Sequence, residues 1–232
     1  MKVVLIHGQE RRGSTYTISR KVAEKISFED DIIEFFMPKD GPEYCKGCNL
    51  CFFEGEYKCP SYDKIKLIVA AMLECDIIVI DSPNRCMGMT GQLKTMFDHI
   101  GYLWMAHRPE PGFFSKSAIV ISTTSGRGSK NVCKDITEQL KFIGVPNTYS
   151  IPLTVGAGLD TLPQKNIEKL DFKIDKTVDK AINKAGKVKP SMFQKFFFSI
   201  VRKYKIKPDS EPALDREYWE EKGWLSDSRP WK

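Results

Sequence analysis

No run of 18 apolar residues occurs in this chain of 232, so no segment is written to span a bilayer as a helix. The start lacks a basic n-region, an apolar h-region and a small-residue cleavage site. Met1–His7 reads instead as a first strand, and the expected compartment is the reducing cytoplasm. Histidine is scarce. None of His7, His99 and His107 has a second His or a Ser nucleophile at a spacing that supports a zinc hydrolase or a catalytic triad. Neither GxGxxG nor GxxxxGKS/T occurs, which disfavours dinucleotide and ATP folds of those kinds. No internal repeat is present. The net charge of +6 is modest, and no nucleic-acid partner is expected. Acid is missing altogether from Lys180 to Pro208, where nine Lys or Arg stand, and a mostly acidic tail follows.

What the chain does have is clustered cysteine. Four of its seven cysteines fall in Cys45-Lys-Gly-Cys48-Asn-Leu-Cys51 and the nearby Cys59. Two consecutive C-x₂-C steps can bring three thiolates around one centre, and Cys59 can close the set. Such a quartet suits a [4Fe–4S] cluster or a structural zinc. The alternative is a cysteine-rich loop that holds no metal. With 41% hydrophobic residues the chain can bury one good core, so one domain with an appendage is expected.

Apolar runs and helical stripes alternate along the chain. Val3–Ile6 is an unbroken apolar run, as in a strand covered on both faces. Thr15–Ile26 has helical spacing, Asp31–Met37 reads as a second strand, and Tyr44–Pro60 as the cysteine loop. Ile65–Leu73 predicts a second helix, Asp76–Asp81 a third strand and Gln92–Ala106 a third helix. Ser117–Thr123, Asn131–Ile143, Thr148–Thr154 and Asn166–Asn183 continue the alternation. The pattern predicts a doubly wound parallel α/β sheet over 1–185, with 186–232 as a helical extension.

Three strand-end loops should lie on one edge of that sheet. The first holds Gly8, Gln9, Arg11, Arg12, Gly13, Ser14 and Thr15. Small and hydroxyl residues at a helix N-terminus leave N–H groups for an anion, and an arginine adds charge-assisted bonds suited to phosphate. The plainer alternative makes Ser14 or Thr15 an N-cap. The second holds Pro83, Asn84, Arg85, Cys86 and Met87, and the third Thr124, Ser125, Gly126 and Arg127. A phosphate pocket beside two ring-sized loops predicts a mononucleotide site.

On these residues the chain resembles the NADPH-dependent FMN reductase branch of the flavodoxin-like superfamily, and within it the iron–sulfur flavoproteins. Gly8, Arg11, Gly13 and Thr15 match the first-loop motif; Pro83, Gln92, Leu93, Lys94 and Asp98 match the second; Thr124–Gly128 match the glycine-rich third. Cys45, Cys48, Cys51 and Cys59 match the cluster motif of the iron–sulfur members. Gln9, Ser14, Arg85 and His99 depart from the usual serine, asparagine, aromatic and arginine. The resemblance covers about residues 1–185. It implies a five-stranded parallel sheet of order 2-1-3-4-5, FMN held by the first loop at its phosphate and by the second and third at its ring, and NAD(P)H as co-substrate. Electrons would pass to an unidentified acceptor, through a [4Fe–4S] cluster where one is bound. Two rivals stand beside this reading: an FMN carrier without NAD(P)H activity, and a non-enzymatic flavodoxin-like binding protein.

Several residues have plainer readings. Cys75 and Cys133 read as small core residues, Cys86 as a packing contact in preference to a redox thiol, and His7 as a strand-end cap. Phe52, Phe53 and Tyr57 could shield a cluster or ring from water. Ser191–Lys207 carries an apolar helical stripe with basic residues. It is expected to dock on its own domain or a dimer mate in preference to an anionic membrane surface. Together with Tyr218, Trp219 and Trp224 it predicts an exposed patch, hence a homodimer or dimer of dimers whose tail covers the flavin of the partner.

Overall fold

Strands β1 (Val3–His7), β2 (Ile32–Phe36), β3 (Ile77–Asp81), β4 (Ser117–Thr124) and β5 (Asn147–Thr154) pair in parallel in the order β2-β1-β3-β4-β5. The computed structural model describes residues 1–231. β1, β3 and β4 are buried along their whole length because helices cover both faces, which is why their sequences are near-continuous apolar runs. The helices are α1 (Ser14–Ile26), α2 (Leu50–Phe53), α3 (Tyr62–Glu74), α4 (Gly91–His99), α5 (Ser129–Phe142), α6 (Gln164–Lys184), α7 (Met192–Lys205) and α8 (Ala213–Glu221). Among the described residues no helix is long and apolar enough to cross a membrane.

The sheet divides two apolar cores. On one face Ile65, Ile68, Met72, Leu93, Met96, Val132 and Ile136 pack against Val4, Ile6, Ile78 and Val120. On the other, Ile18, Val22, Leu170, Ile174 and Val178 pack against Val3, Leu5, Val79 and Ile119. The alternation of side chains along each strand feeds these two layers in turn. This is the flavodoxin-like strand order that the resemblance implied, and it sets the ends of β1, β3 and β4 on one edge.

Three local expectations change. The helix expected over Gln92–Ala106 ends at His99, and a short 3₁₀ turn, Gly101–Leu103, follows. The break falls at Ile100, whose N–H donates to the Phe97 carbonyl at 3.3 Å as the turn tightens. The cysteine loop is not wholly irregular, since α2 and a 3₁₀ turn over Glu56–Lys58 lie within it. The aromatic tail is not an exposed patch. Phe198, Trp219 and Trp224 form a third apolar cluster with Val201, Ala106 and Trp231, all within this chain. Phe198 and Trp219 stack at 4.4 Å. Helix α7 is fixed further by Phe193 and Phe197 against Phe142 and by Gln194 donating to the Lys141 carbonyl. Its opposite face, with Met192, Phe196, Ile200 and Tyr204, stays exposed.

Candidate functional site

The first loop turns at Gly8, which is there for want of space. A Cβ would lie 2.8 Å from the Asp81 carbonyl oxygen and 2.9 Å from Thr90 Oγ1. Gly8 N–H donates to Asp81 O at 2.8 Å, and Thr90 Oγ1 donates to Gly8 O at 2.5 Å. Neither Ser14 nor Thr15 caps α1; the N-cap is Gly13, and it offers no side-chain acceptor. The first N–H groups of that helix are therefore left for an anion, with the dipole favouring negative charge. Arg11 and Arg12 are exposed beside them. The Arg12 guanidinium sits over the rings of Tyr16 and Phe36, at 5.2 and 5.4 Å.

The other two loops meet the first. Thr15 Oγ1 and Thr123 Oγ1 are 2.6 Å apart and Arg85 Nη2 donates to Gln9 Oε1 at 3.2 Å; from the loop after β5, Leu159 N–H donates to Ser14 Oγ at 3.3 Å. Asn84 Nδ2 donates to the Arg127 carbonyl at 2.9 Å and approaches Thr124 Oγ1 at 3.3 Å. Gly128, at φ +108°, gives Asn84 its room. Arg85 and Gly88 exchange backbone hydrogen bonds around a tight turn, with Cys86 and Met87 at φ +48° and +69°. Non-glycine residues rarely adopt this conformation, which throws both side chains outward. Cys86 is thus exposed and not the packing contact expected of it, whereas Cys75 and Cys133 are buried as expected. The residues assigned to the three loops lie at or past the ends of β1, β3 and β4 at one sheet edge, with Pro83 and Thr124 buried and Ser125, Gly126 and Arg127 exposed.

Cys45, Cys48, Cys51 and Cys59 line one cavity of about 440 Å³, together with Tyr44, Phe52, Asp98 and His99. Left-handed turns at Gly47 (φ +63°) and Asn49 (φ +59°) fold the two C-x₂-C steps back on themselves. Cys45 and Cys48 are exposed, Cys51 and Cys59 half-buried. Burial pushes the Cys51 thiol up to about 11, and the charges of Cys59, Cys45 and Cys48 add to this while Arg108 opposes it. His99 Nε2 lies 2.8 Å from the Glu43 carbonyl, and its Nδ1 lies 3.2 Å from Cys59 Sγ. Among the described residues no three His, Cys, Asp or Glu side chains close on a single metal ion. A four-iron cube needs its thiolates further apart than one ion does, and four cysteines around one cavity fit that donor set. Phe52 lines the cavity, but Phe53 and Tyr57 are exposed.

Two groups beside these loops find their partners far away in the sequence. His7 does not cap its strand; it is buried, with Nδ1 2.5 Å from Asp81 Oδ2. Arg108 is buried and donates to the Cys51 carbonyl. An acidic residue closing an otherwise apolar run, as Asp81 does, was the one available hint of the first.

The family model for NADPH-dependent FMN reductase matches residues 1–156. An iron–sulfur flavoprotein of Archaeoglobus fulgidus is 24% identical over 97% of this chain and 100% of its own. One of Methanocaldococcus jannaschii is 37% identical over 42% of this chain, and that match spans about half of the relative, 51%. Among solved structures, an NADH:FMN oxidoreductase in its apo form superposes with a TM-score of 0.54 at 17% identity, covering 78% of this chain and 89% of that one. An NAD(P)H:acceptor oxidoreductase from Paracoccus denitrificans gives 0.53 at 19%, covering 80% and 98%. At these identities the structures speak for the fold.

Proposed function

The chain belongs to the NADPH-dependent FMN reductase family, and from that footing we propose that it is an FMN-dependent oxidoreductase carrying electrons from NAD(P)H to an acceptor. The observation that carries the reading is the meeting of three strand-end loops around an uncapped helix N-terminus at Gly13. Gln9, Arg11, Gly13, Ser14 and Thr15 are assigned to the phosphate. Pro83, Asn84, Arg85, Cys86 and Met87, with Thr124, Ser125, Gly126 and Arg127, are assigned to the ring. Cys45, Cys48, Cys51 and Cys59 are assigned to a [4Fe–4S] cluster. When bound, FMN supplies a hydride acceptor and a cluster supplies single-electron transfer.

The protein's own part is position and electrostatics. Arg11 offers bidentate donors to a phosphate dianion, and the α1 N–H groups add theirs without any reorganisation. The left-handed turn at Cys86 and Met87 presents backbone edges and a thioether to a flat ring. Thr15 and Thr123 lock the first loop to the third, so the two halves of the cradle hold their spacing. We further assign the working form as a homodimer or dimer of dimers.

The curated relatives carry the name iron–sulfur flavoprotein and not reductase. That favours a second reading, an FMN and iron–sulfur electron carrier without NAD(P)H activity. An absorption spectrum of anaerobically purified protein, followed by steady-state NADH and NADPH oxidation, separates the two. Bound flavin with turnover supports the reductase, bound flavin without turnover supports the carrier, and a colourless, flavin-free protein rejects both.

A further inference from the structure

The C-terminal extension reaches the cysteine loop through one side chain. Arg108 is buried. Its Nη1 donates to Asp215 Oδ1 at 2.5 Å, and its Nη2 donates to the carbonyl of Cys51. Weaker approaches at 3.4 Å join Nη1 to the Phe52 carbonyl and Nη2 to Glu56 Oε2. Asp215, on α8, is fully buried, and its second oxygen is held by His107 Nδ1 at 2.7 Å and Lys205 Nζ at 2.9 Å. The same segment is held from α8 at its backbone as well. Trp219 Nε1 donates to His107 O at 2.6 Å and Tyr218 OH to Pro109 O at 2.9 Å. On the other side, the Phe52 ring packs 4.6 Å from the His107 ring.

This arrangement answers a need of the cysteine loop. Helix α2 has four residues, too few for internal hydrogen bonds to hold it alone. Cys51 sits inside it. Besides His99, which reaches Glu43 and Cys59, the loop is fixed at Cys51 by the guanidinium that binds its carbonyl, and a planar fork can bind that carbonyl and a carboxylate at once. We propose that Arg108 is a positioning residue for Cys51, and that Asp215, delivered by α8, holds Arg108 in place. The C-terminal extension is then a working part of the cysteine site, not an appendage. The geometry stands by itself; its consequence for iron rests on the cluster reading above.

The test compares full-length wild type with Arg108→Met and Arg108→Lys. Methionine keeps the apolar stem and leaves Asp215 with His107 and Lys205. Lysine also keeps the charge, yet one ammonium cannot span both acceptors. Both variants are expected to retain FMN and the Trp219 emission of the docked tail. In Arg108→Lys, which keeps a cation beside the Cys51 thiol, alkylation of Cys51, followed by peptide mass spectrometry on iron-free protein, should accelerate toward the rates of the exposed Cys45 and Cys48. Iron affinity after anaerobic reconstitution should fall on the order of 10–100-fold, as when an outer-shell partner of a metal ligand is lost. A folded Arg108→Lys whose Cys51 alkylates at the wild-type rate would overturn the proposal. Should that variant not fold, hydrogen exchange on the wild type decides. Joint opening of Leu50–Phe53 and Ala213–Glu221 supports the link, and independent opening sinks it. A wild type that takes up no iron removes the cluster reading alone, because the alkylation result does not depend on metal.

Discussion

His7 and Asp81 are register partners on adjacent parallel strands, and their side chains meet beneath the first loop with Nδ1 2.5 Å from Oδ2. Ser19 Oγ lies 2.5 Å from the same carboxylate oxygen. The ring of His7 stacks on Phe36 at 4.5 Å, and its Nε2 stands 3.4 Å from Glu34 Oε2 without a hydrogen-bonding alignment. The Nδ1–Oδ2 contact supplies each of these buried groups with a partner where water does not reach. Asp81→Ala should therefore destabilise the chain by roughly 1–3 kcal/mol, the cost of stranding a buried polar group. A urea unfolding midpoint equal to that of wild type, at unchanged slope, would show the pair to be idle.

The phosphate assignment is tested at Arg11. Arg11→Ala should weaken FMN binding by about 1.5–3 kcal/mol, the range for a hydrogen bond to a charged group, and leave riboflavin binding nearly unchanged. Titration of both ligands into flavin-free protein measures the difference. Equal losses for the two would place the phosphate elsewhere.

The sheet was legible because its central strands are buried on both faces, and burial of that kind leaves the apolar runs Val3–Ile6 and Ile77–Ile80 in the sequence. The loops were legible by position, each following such a run. What sequence could not carry were contacts between distant residues. Arg108 and Asp215 are 107 positions apart, and neither sits in a motif. The fate of Trp219 shows the same limit: a tail aromatic in an acidic stretch looks exposed until Phe198 and Trp224 are seen to enclose it. The third helix was overrun because its apolar pattern runs on through Tyr102, Leu103 and Met105, which are buried in a 3₁₀ turn and the loop beyond it and not in a helix.

The cluster assignment is tested by removing ligands one at a time. Replacing Cys45, Cys48 or Cys51 by alanine should abolish iron binding and leave the flavin spectrum in place, since no thiol of the loop reaches the FMN cradle as assigned. Iron and sulfide analysis after anaerobic reconstitution reads the result. Wild type that takes up no iron ends the cluster assignment.

Acid should release the tail. Burial alone would raise the Asp215 carboxyl, but hydrogen bonds and charge from His107 and Lys205 outweigh it and hold the group below its ordinary range. A depressed carboxylate stabilises the fold above its unfolded value, about 3.9, and that stability is lost as pH falls through the lower folded value. Asp215→Asn lacks the contribution at every pH and should be less stable near neutrality by roughly 3–5 kcal/mol, the cost of breaking a buried pair. The gap between wild type and variant should narrow as pH falls below about 4. A gap that stays constant in acid denaturation, followed by tryptophan emission, would detach Asp215 from the effect.

The homodimer assignment now rests on the outer face of α7, because the aromatic tail is spent inside the chain. Met192, Phe196, Ile200 and Tyr204 recur every fourth residue and are 82, 67, 49 and 49% exposed. A row of that size is more than scattered surface apolar residues explain. Lys195 and Lys203 stand beside it with no acid on the helix, so two copies meeting here repel electrostatically while their apolar rows attract. Salt screens the first effect and not the second. Association of the full-length chain should therefore tighten as ionic strength rises, and Phe196→Glu or Ile200→Glu should shift light-scattering mass toward the monomer without loss of FMN. A wild-type monomer at all salt concentrations, or an oligomer indifferent to both substitutions, would move the interface off this helix.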